Sequence, residues 1–187
     1  MEIKMSRVDF GAKPLLFPMP VLIIGTYDAE GNPNAMNAAW GTITDFNEIT
    51  ISLAPHKTTE NFAVTGAFTV SIATEETVTA CDYVGIVSGN DVPNKFAKAG
   101  FHATKSEKVN APLIDELPMA LECKVKSYED DILVGEIVNV TVDEHILTDG
   151  KIDPKKLKPI AYDPANNTYL TLGNVVGKAF ADGLALK

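Results

Sequence analysis

Along most of this chain the apolar positions recur every second residue. Residues 49–53 (ITISL) set Ile49, Ile51 and Leu53 on one face and Thr50 and Ser52 on the other, the alternation of a half-buried strand. Residues 67–73 repeat it with Phe68, Val70 and Ile72. Met119, Leu121, Cys123 and Val125 alternate with Ala120, Glu122, Lys124 and Lys126. After the acidic turn at 129–131, ILVGEIVNVTV runs to Val142, and the two stretches predict an antiparallel hairpin. Residues 21–27 (VLIIGTY) form a continuous apolar run with Pro18 and Pro20 ahead of it. The turn DAEGN follows, where Gly31 and Asn32 tolerate positive φ, so residues 34–40 are expected to return as the partner strand. A last short pair is expected at 159–162 and 168–172, across DPANN.

Helical signals are short. Residues 58–65 predict a helix capped by Thr58 or Thr59 and stopped by Gly66. Thr74-Glu75-Glu76 opens a second, with a cap and acids against the N-terminal dipole, and Ser88-Gly89-Asn90 ends it. A third is expected from residue 92 or 93 to 99, closed by Gly100. Many strands with few inserted helices predict a mainly β domain, built as a barrel. A doubly wound α/β sheet would need helices of about a dozen residues between most strands, and the pattern does not supply them. No G-x-G-x-x-G or phosphate-loop motif occurs. The tail from Gly173 is small and apolar, expected to pack on the barrel or on a partner.

Composition narrows the classes. The 187 residues, 45% hydrophobic and 22% charged, fit one globular domain over 1–187. A net charge of -9 argues against a nucleic-acid partner, though not against one small cationic pocket. MEIKMSRVDF has no apolar signal-peptide core, and PLLFPMPVLIIG is too short and Pro-interrupted to span a bilayer. A soluble cytoplasmic protein with no membrane partner is therefore expected. Cys81 and Cys123 are far apart and read as buried thiols. His56, His102 and His145 form no ligand pair, so no metal site is expected.

Two segments carry candidate chemistry. In residues 34–42 (NAMNAAWGT), small side chains around Asn37, Ala38 and Ala39 would let a flat ligand reach the backbone. Trp40, the single tryptophan, is either a core or interface aromatic or a ligand contact. In residues 53–62 (LAPHKTTENF), a helix N-terminus offers free N–H groups and Lys57 adds a full charge. Thr58 and Thr59 either cap the helix or join this set, and His56 can donate to the same anion. Lys95 is either a second contact for negative charge or a solvated surface lysine, the ordinary role. No acid–base pair or nucleophile set is readable, which points to chemistry carried by a cofactor.

Together, NAAW, ISLAP, HKTTENF, GAFTVSIAT, NKFAKAGF, ELPMALECKV, VGEIVNVTVDEHILTDGKID and LKPIAYDPANNTYLTLGNVVGKAF, in that order, resemble the flavin reductase-like family, most of all its flavoredoxin branch. The resemblance spans nearly the whole chain. It implies an antiparallel Greek-key split β-barrel with a few short helices, binding FMN non-covalently. It also implies that Asn37, Ala38, Ala39 and Trp40 line the isoalloxazine. Ser52, His56, Lys57 and Thr58 would hold the phosphate and ribityl chain, with Asn61 and Lys95 close by. Thr141 stands where relatives often carry His. Homodimers are the family's usual form, with the cofactor near the subunit interface.

Three functions follow as expectations. The first is an oxidoreductase moving electrons from NADH or NADPH through FMN to free flavin, ferric complexes or a protein acceptor. The second is a flavoredoxin-type carrier served by a redox protein, with little nicotinamide activity. The third is a non-enzymatic flavin- or haem-binding protein, the haem version being weakened by the lack of a placed His ligand. No catalytic side chain is assigned.

Overall fold

The apolar run at 21–27 becomes a strand buried on both faces, and the fold is organised around it. Residues 6–187 are described in the computed structural model of the chain; the first five residues of MEIKMSRVDF lie outside them. The chain opens with β1 (Met19–Pro20), β2 (Leu22–Tyr27), β3 (Pro33–Ala38), β4 (Gly41–Asp45) and β5 (Glu48–Ser52). Helix α1 (Lys57–Thr65) leads to β6 (Ala67–Ile72). Helices α2 (Val78–Ile86) and α3 (Lys95–Lys98) precede β7 (Ala103–Lys105) and β8 (Pro112–Ile114). The long hairpin is β9 (Met119–Glu129) with β10 (Ile132–Val142). Then come β11 (Leu147–Thr148), β12 (Lys151–Ile152), α4 (Pro154–Leu157), β13 (Ile160–Asp163) and β14 (Thr168–Thr171).

Seven strands form one antiparallel sheet in the order β3–β2–β6–β9–β10–β5–β4, curled into the half-barrel of a split barrel. A second sheet runs β1–β13–β14. The fold is therefore the mainly β split barrel that the sequence predicts. Inside the curl, Leu22, Ile24, Ile51, Phe68, Val70 and Leu121 pack with Phe62 of α1. Outside it, Val21, Ile23 and Ala35 pack with Cys81 and Val84 of α2 and Phe96 of α3. Because β2 serves both cores, its sequence cannot alternate. Bulges in β9–β10 at Val134/Gly135 and Ile137/Asn139 help the sheet bend. At Gly135 a Cβ would lie 2.3 Å from Phe68 Cζ, so the ring fills space that any side chain would take.

Several local expectations change. The return strand stops at Ala38, and a further strand, β4, follows it; four of its five residues are exposed, which hid it from apolar patterning. Helix α1 starts at Lys57 with His56 as its cap, one residue ahead of the expected start. Thr59 Oγ1 accepts the His56 N–H at 2.9 Å, while Thr58 turns inward. Helix α3 is a single turn, shorter than expected, and Gly100 closes it at φ +80. The hairpin at 119–142 and the last strand pair form as predicted, the pair joining β1 in the separate sheet. Among the described residues, no helix is long and apolar enough to cross a membrane.

Candidate functional site

Two hydrogen bonds bring the two sequence segments together. Ser52 N–H donates to Trp40 O at 2.8 Å, laying the end of β5 beside the exit of β3. Asn34 Nδ2 donates to Thr58 Oγ1 at 2.9 Å, fastening β3 to the first turn of α1. The short loop 53–56 connects the two contacts. Trp40, Ser52, His56 and Lys57 thus lie along one rim of the barrel, between the end of the small-residue strand and a helix N-terminus.

The rim has two chemical ends. At one, Trp40 is 56% exposed, so it is not a core aromatic, and Ala39 beside it is half-buried. At the other, the first N–H groups of α1 have no intrahelical acceptor. Lys57 is half-buried and, among the described residues, makes no ion pair. His56 is exposed and Ser52 half-buried. The ammonium shapes its surroundings at a distance. Desolvation pushes the Asp28 carboxyl up, but hydrogen bonds from Asn32 and Glu30 and the field of Lys57 outweigh it and hold the group below its usual range. A polar cleft of about 570 Å³ flanks Lys57, bordered by Asp28, Asn34, Asn61, Asn90 and Asn94. Donors without internal acceptors, beside a fixed cation, suit a bound phosphate.

The remaining predicted residues are placed less openly. Ala38 is 8% exposed and packs in the barrel core. Thr58 and Asn61 are buried, and Asn61 Nδ2 donates to Thr26 Oγ1 at 3.0 Å. Asn37 faces α2: its Nδ2 donates to Cys81 O at 3.1 Å and to Tyr169 Oη at 3.4 Å. Lys95 is buried, not solvated. Its ammonium donates to Val84 O at 3.1 Å and Val87 O at 2.8 Å, capping the end of α2. Burial pushes it down to about 8.

Sequence reasoning missed three contributors. Asn34 carries the β3–α1 contact, and its residue type alone gives no signal of that part. Gly89 was read only as a helix stop; a Cβ there would come 2.7 Å from Asn34 Oδ1 and 3.1 Å from Lys57 Cγ. Its small size lets the loop after α2 close over the lysine. Tyr169 donates to Asp82 Oδ1 at 2.7 Å and receives Asn37, joining β14, α2 and β3. No local signal could connect residues so far apart in sequence. Cys81 and Cys123 are buried thiols as predicted, pushed up by burial to about 11 and about 12.

Comparison with known proteins agrees with the fold. The profile described as "Flavin reductase like domain" matches residues 15–164. The flavoredoxin of Desulfovibrio vulgaris (Miyazaki F) superposes with a TM-score of 0.91 at 37% identity, covering 95% of this chain and 100% of that one. The flavoredoxin from Methanosarcina acetivorans superposes at 0.88 with 28% identity, covering 98% and 100%. An uncharacterized protein of Aeropyrum pernix is 26% identical over 183 residues, 89% of this chain and 68% of that protein.

Proposed function

The chain belongs to the flavin reductase-like family, and from that premise we propose that it is an FMN-binding oxidoreductase of flavoredoxin type. The supporting observation is the shared rim. A hydrogen bond of 2.8 Å sets Trp40 beside Ser52, and the loop from Ser52 delivers Lys57 and the free N–H groups of α1. The donor set fits one end of FMN and the exposed indole with its small neighbours fits the other.

Lys57 and the α1 N-terminus would hold the phosphate, with Ser52 and His56 along the ribityl chain. Ala39 and Trp40 would face the ring, and Asn37 is held by Cys81 O and Tyr169. FMN held there would supply the hydride-accepting chemistry, between NADH or NADPH as donor and free flavin, a ferric complex or a protein as acceptor. The chain's task is then placement, with the reacting atoms held in near-attack geometry. Two groups beside Asn37, the Cys81 thiol and the Tyr169 phenol, stay protonated at neutral pH. The Cys81 thiol is held at about 11, and the Tyr169 phenol is pushed up to about 12 by burial and by its bond to Asp82. Neither supplies a proton-transfer or nucleophilic group there. The protein works in the cytoplasm in this reading.

The likeness to flavoredoxins favours a second reading, an electron carrier that exchanges with another redox protein rather than with nicotinamide. An anaerobic spectrum separates the two. Rapid bleaching of the flavin band by NADH or NADPH selects the reductase; bleaching only by a reduced ferredoxin-like protein selects the carrier. A chain that ignores added FMN overturns both. Lys57→Ala is expected to weaken FMN about 10- to 100-fold and riboflavin hardly at all, since the lost contact is to phosphate.

A further inference from the structure

We propose that Tyr169 and Asp82 are positioning residues for the flavin: they fix the Asn37 carboxamide so that its oxygen, Oδ1, faces the ligand and accepts the imide N3–H of the ring. This rests on the reading of the chain as a flavin binder, and adds which group on the ring's edge is recognised. Asn37 stands on β3, an edge strand of the seven-stranded sheet. Among the described residues β3 pairs only with β2, so the backbone groups along its other side are free to meet a flat ligand.

Two acceptors converge on the amide nitrogen of Asn37. Cys81 O, at 3.1 Å, is a backbone carbonyl and has nothing to donate. Tyr169 Oη, at 3.4 Å, belongs to a hydroxyl, which can donate or accept. Asp82 removes the choice: Tyr169 Oη donates to Asp82 Oδ1 at 2.7 Å, so its one proton is committed. Burial and that carboxylate push the phenol up to about 12, and the proton stays in place across the neutral range. Turning the amide over would set Oδ1 against two acceptors and lose both bonds. Nδ2 therefore faces α2 and β14, and Oδ1 points the other way. Among the described residues no donor reaches Oδ1, and solvent does.

The surface around the amide is cleared for a flat molecule. Gly85 is exposed on α2, and a Cβ there would come 2.9 Å from Asn37 Cβ. The glycine lets the helix lie close against the strand. Ala39 is half-buried and Ile86 is 74% exposed, so small and apolar groups flank the acceptor. The uracil-like edge of a flavin carries a single N–H, N3, between two carbonyls. An oriented carbonyl acceptor matches that N–H; an amide turned the other way would match the carbonyls instead. Fixing the amide thus fixes which group is recognised, and a site that accepts from a ligand N–H discriminates against the analogue lacking it.

Fluorescence titration with FMN and with 3-methyl-FMN, which carries a methyl group in place of the N3 proton, tests this. The wild-type chain is expected to prefer FMN by about 10-fold, the loss of one hydrogen bond to an oriented acceptor. Tyr169→Phe should lower that ratio to about 3-fold, because one of the two bonds holding the amide is gone. Asp82→Leu should do the same, since the freed hydroxyl proton then competes for Oδ1. Asp82→Asn keeps an acceptor for Tyr169 and should keep the wild-type ratio. The ratio is the readout, because a general loosening of α2 or β14 weakens both flavins alike. Equal binding of the two flavins by wild type overturns the proposal and leaves the FMN reading standing. A ratio unchanged in both Tyr169→Phe and Asp82→Leu also overturns it, reducing the pair to a tie between β14 and α2. A chain that binds neither flavin overturns the FMN reading, and this inference with it.

Discussion

Asn34 Nδ2 meets Thr58 Oγ1 at 2.9 Å, and both side chains are buried. The contact joins β3, the strand that leads to the indole, to the helix turn that carries Lys57. It lets the two ends of the rim keep their spacing.

Asn34→Leu and Thr58→Val each leave one buried polar group without its partner. Each is expected to cost about 1–3 kcal/mol of stability, and the double variant less than the sum of the two. FMN affinity should fall in the singles although neither group is exposed to the ligand. Urea unfolding and flavin-fluorescence titration read the two effects. Strict additivity of the stability losses would show that the pair is not coupled.

Lys95 gives a signature at alkaline pH. Its folded value is about 8, depressed by burial, against 10.5 in the unfolded chain. Between those values the unfolded chain keeps a proton that the folded chain has released, so stability rises with pH. Lys95→Met lacks that proton. It is expected to cost about 1 kcal/mol at pH 7 through the two lost bonds to α2 carbonyls. Its deficit relative to wild type should widen from pH 8 to 10.5. A deficit that narrows over this range would mean that the buried ammonium is stabilised rather than depressed.

Glu122 gives the opposite end of the pH scale. It is 2% exposed and accepts from Ser106 Oγ, from Asn139 Nδ2 at 2.6 Å and from Thr141 Oγ1. Burial raises its carboxyl, but these bonds, with the field of Lys108, outweigh that and hold it below the ordinary 4.5. Its stabilisation is therefore present above the unfolded value and lost as pH falls through the lower folded one. Glu122→Gln is expected to be about 1–3 kcal/mol less stable at pH 7. The gap should close as urea midpoints are followed from pH 5 towards pH 3; a constant gap would remove the carboxylate from the account. The contact also gives Thr141 a structural part.

Much of the fold was legible because strands with one buried face write their period into the chain. Ile49, Ile51 and Leu53 did so, and so did Met119, Leu121 and Cys123. Strand β4 did not, since an exposed edge strand needs no apolar alternation. Its residues pair through backbone groups that every sequence carries. The start of α1 was read one residue late because two threonines are stronger cap signals than a histidine, while packing drew Thr58 inward to Asn34. For Lys95 the sequence left two readings, a contact for negative charge or the solvated role of most lysines; the carbonyls that accept it belong to another helix.

The cation beside a helix N-terminus was legible from residue types alone. A lysine at a helix start following an alternating strand is local information, contained within residues 49–62. The order of motifs then carried the family. What joined that end to Trp40 was decided only in three dimensions, by a backbone bond from Ser52 and a side-chain bond from Asn34. Local periodicity is set by which face of an element meets water, and the sequence must encode it. Which side chains meet across elements depends on how the sheet curls, and that follows from all the packing at once.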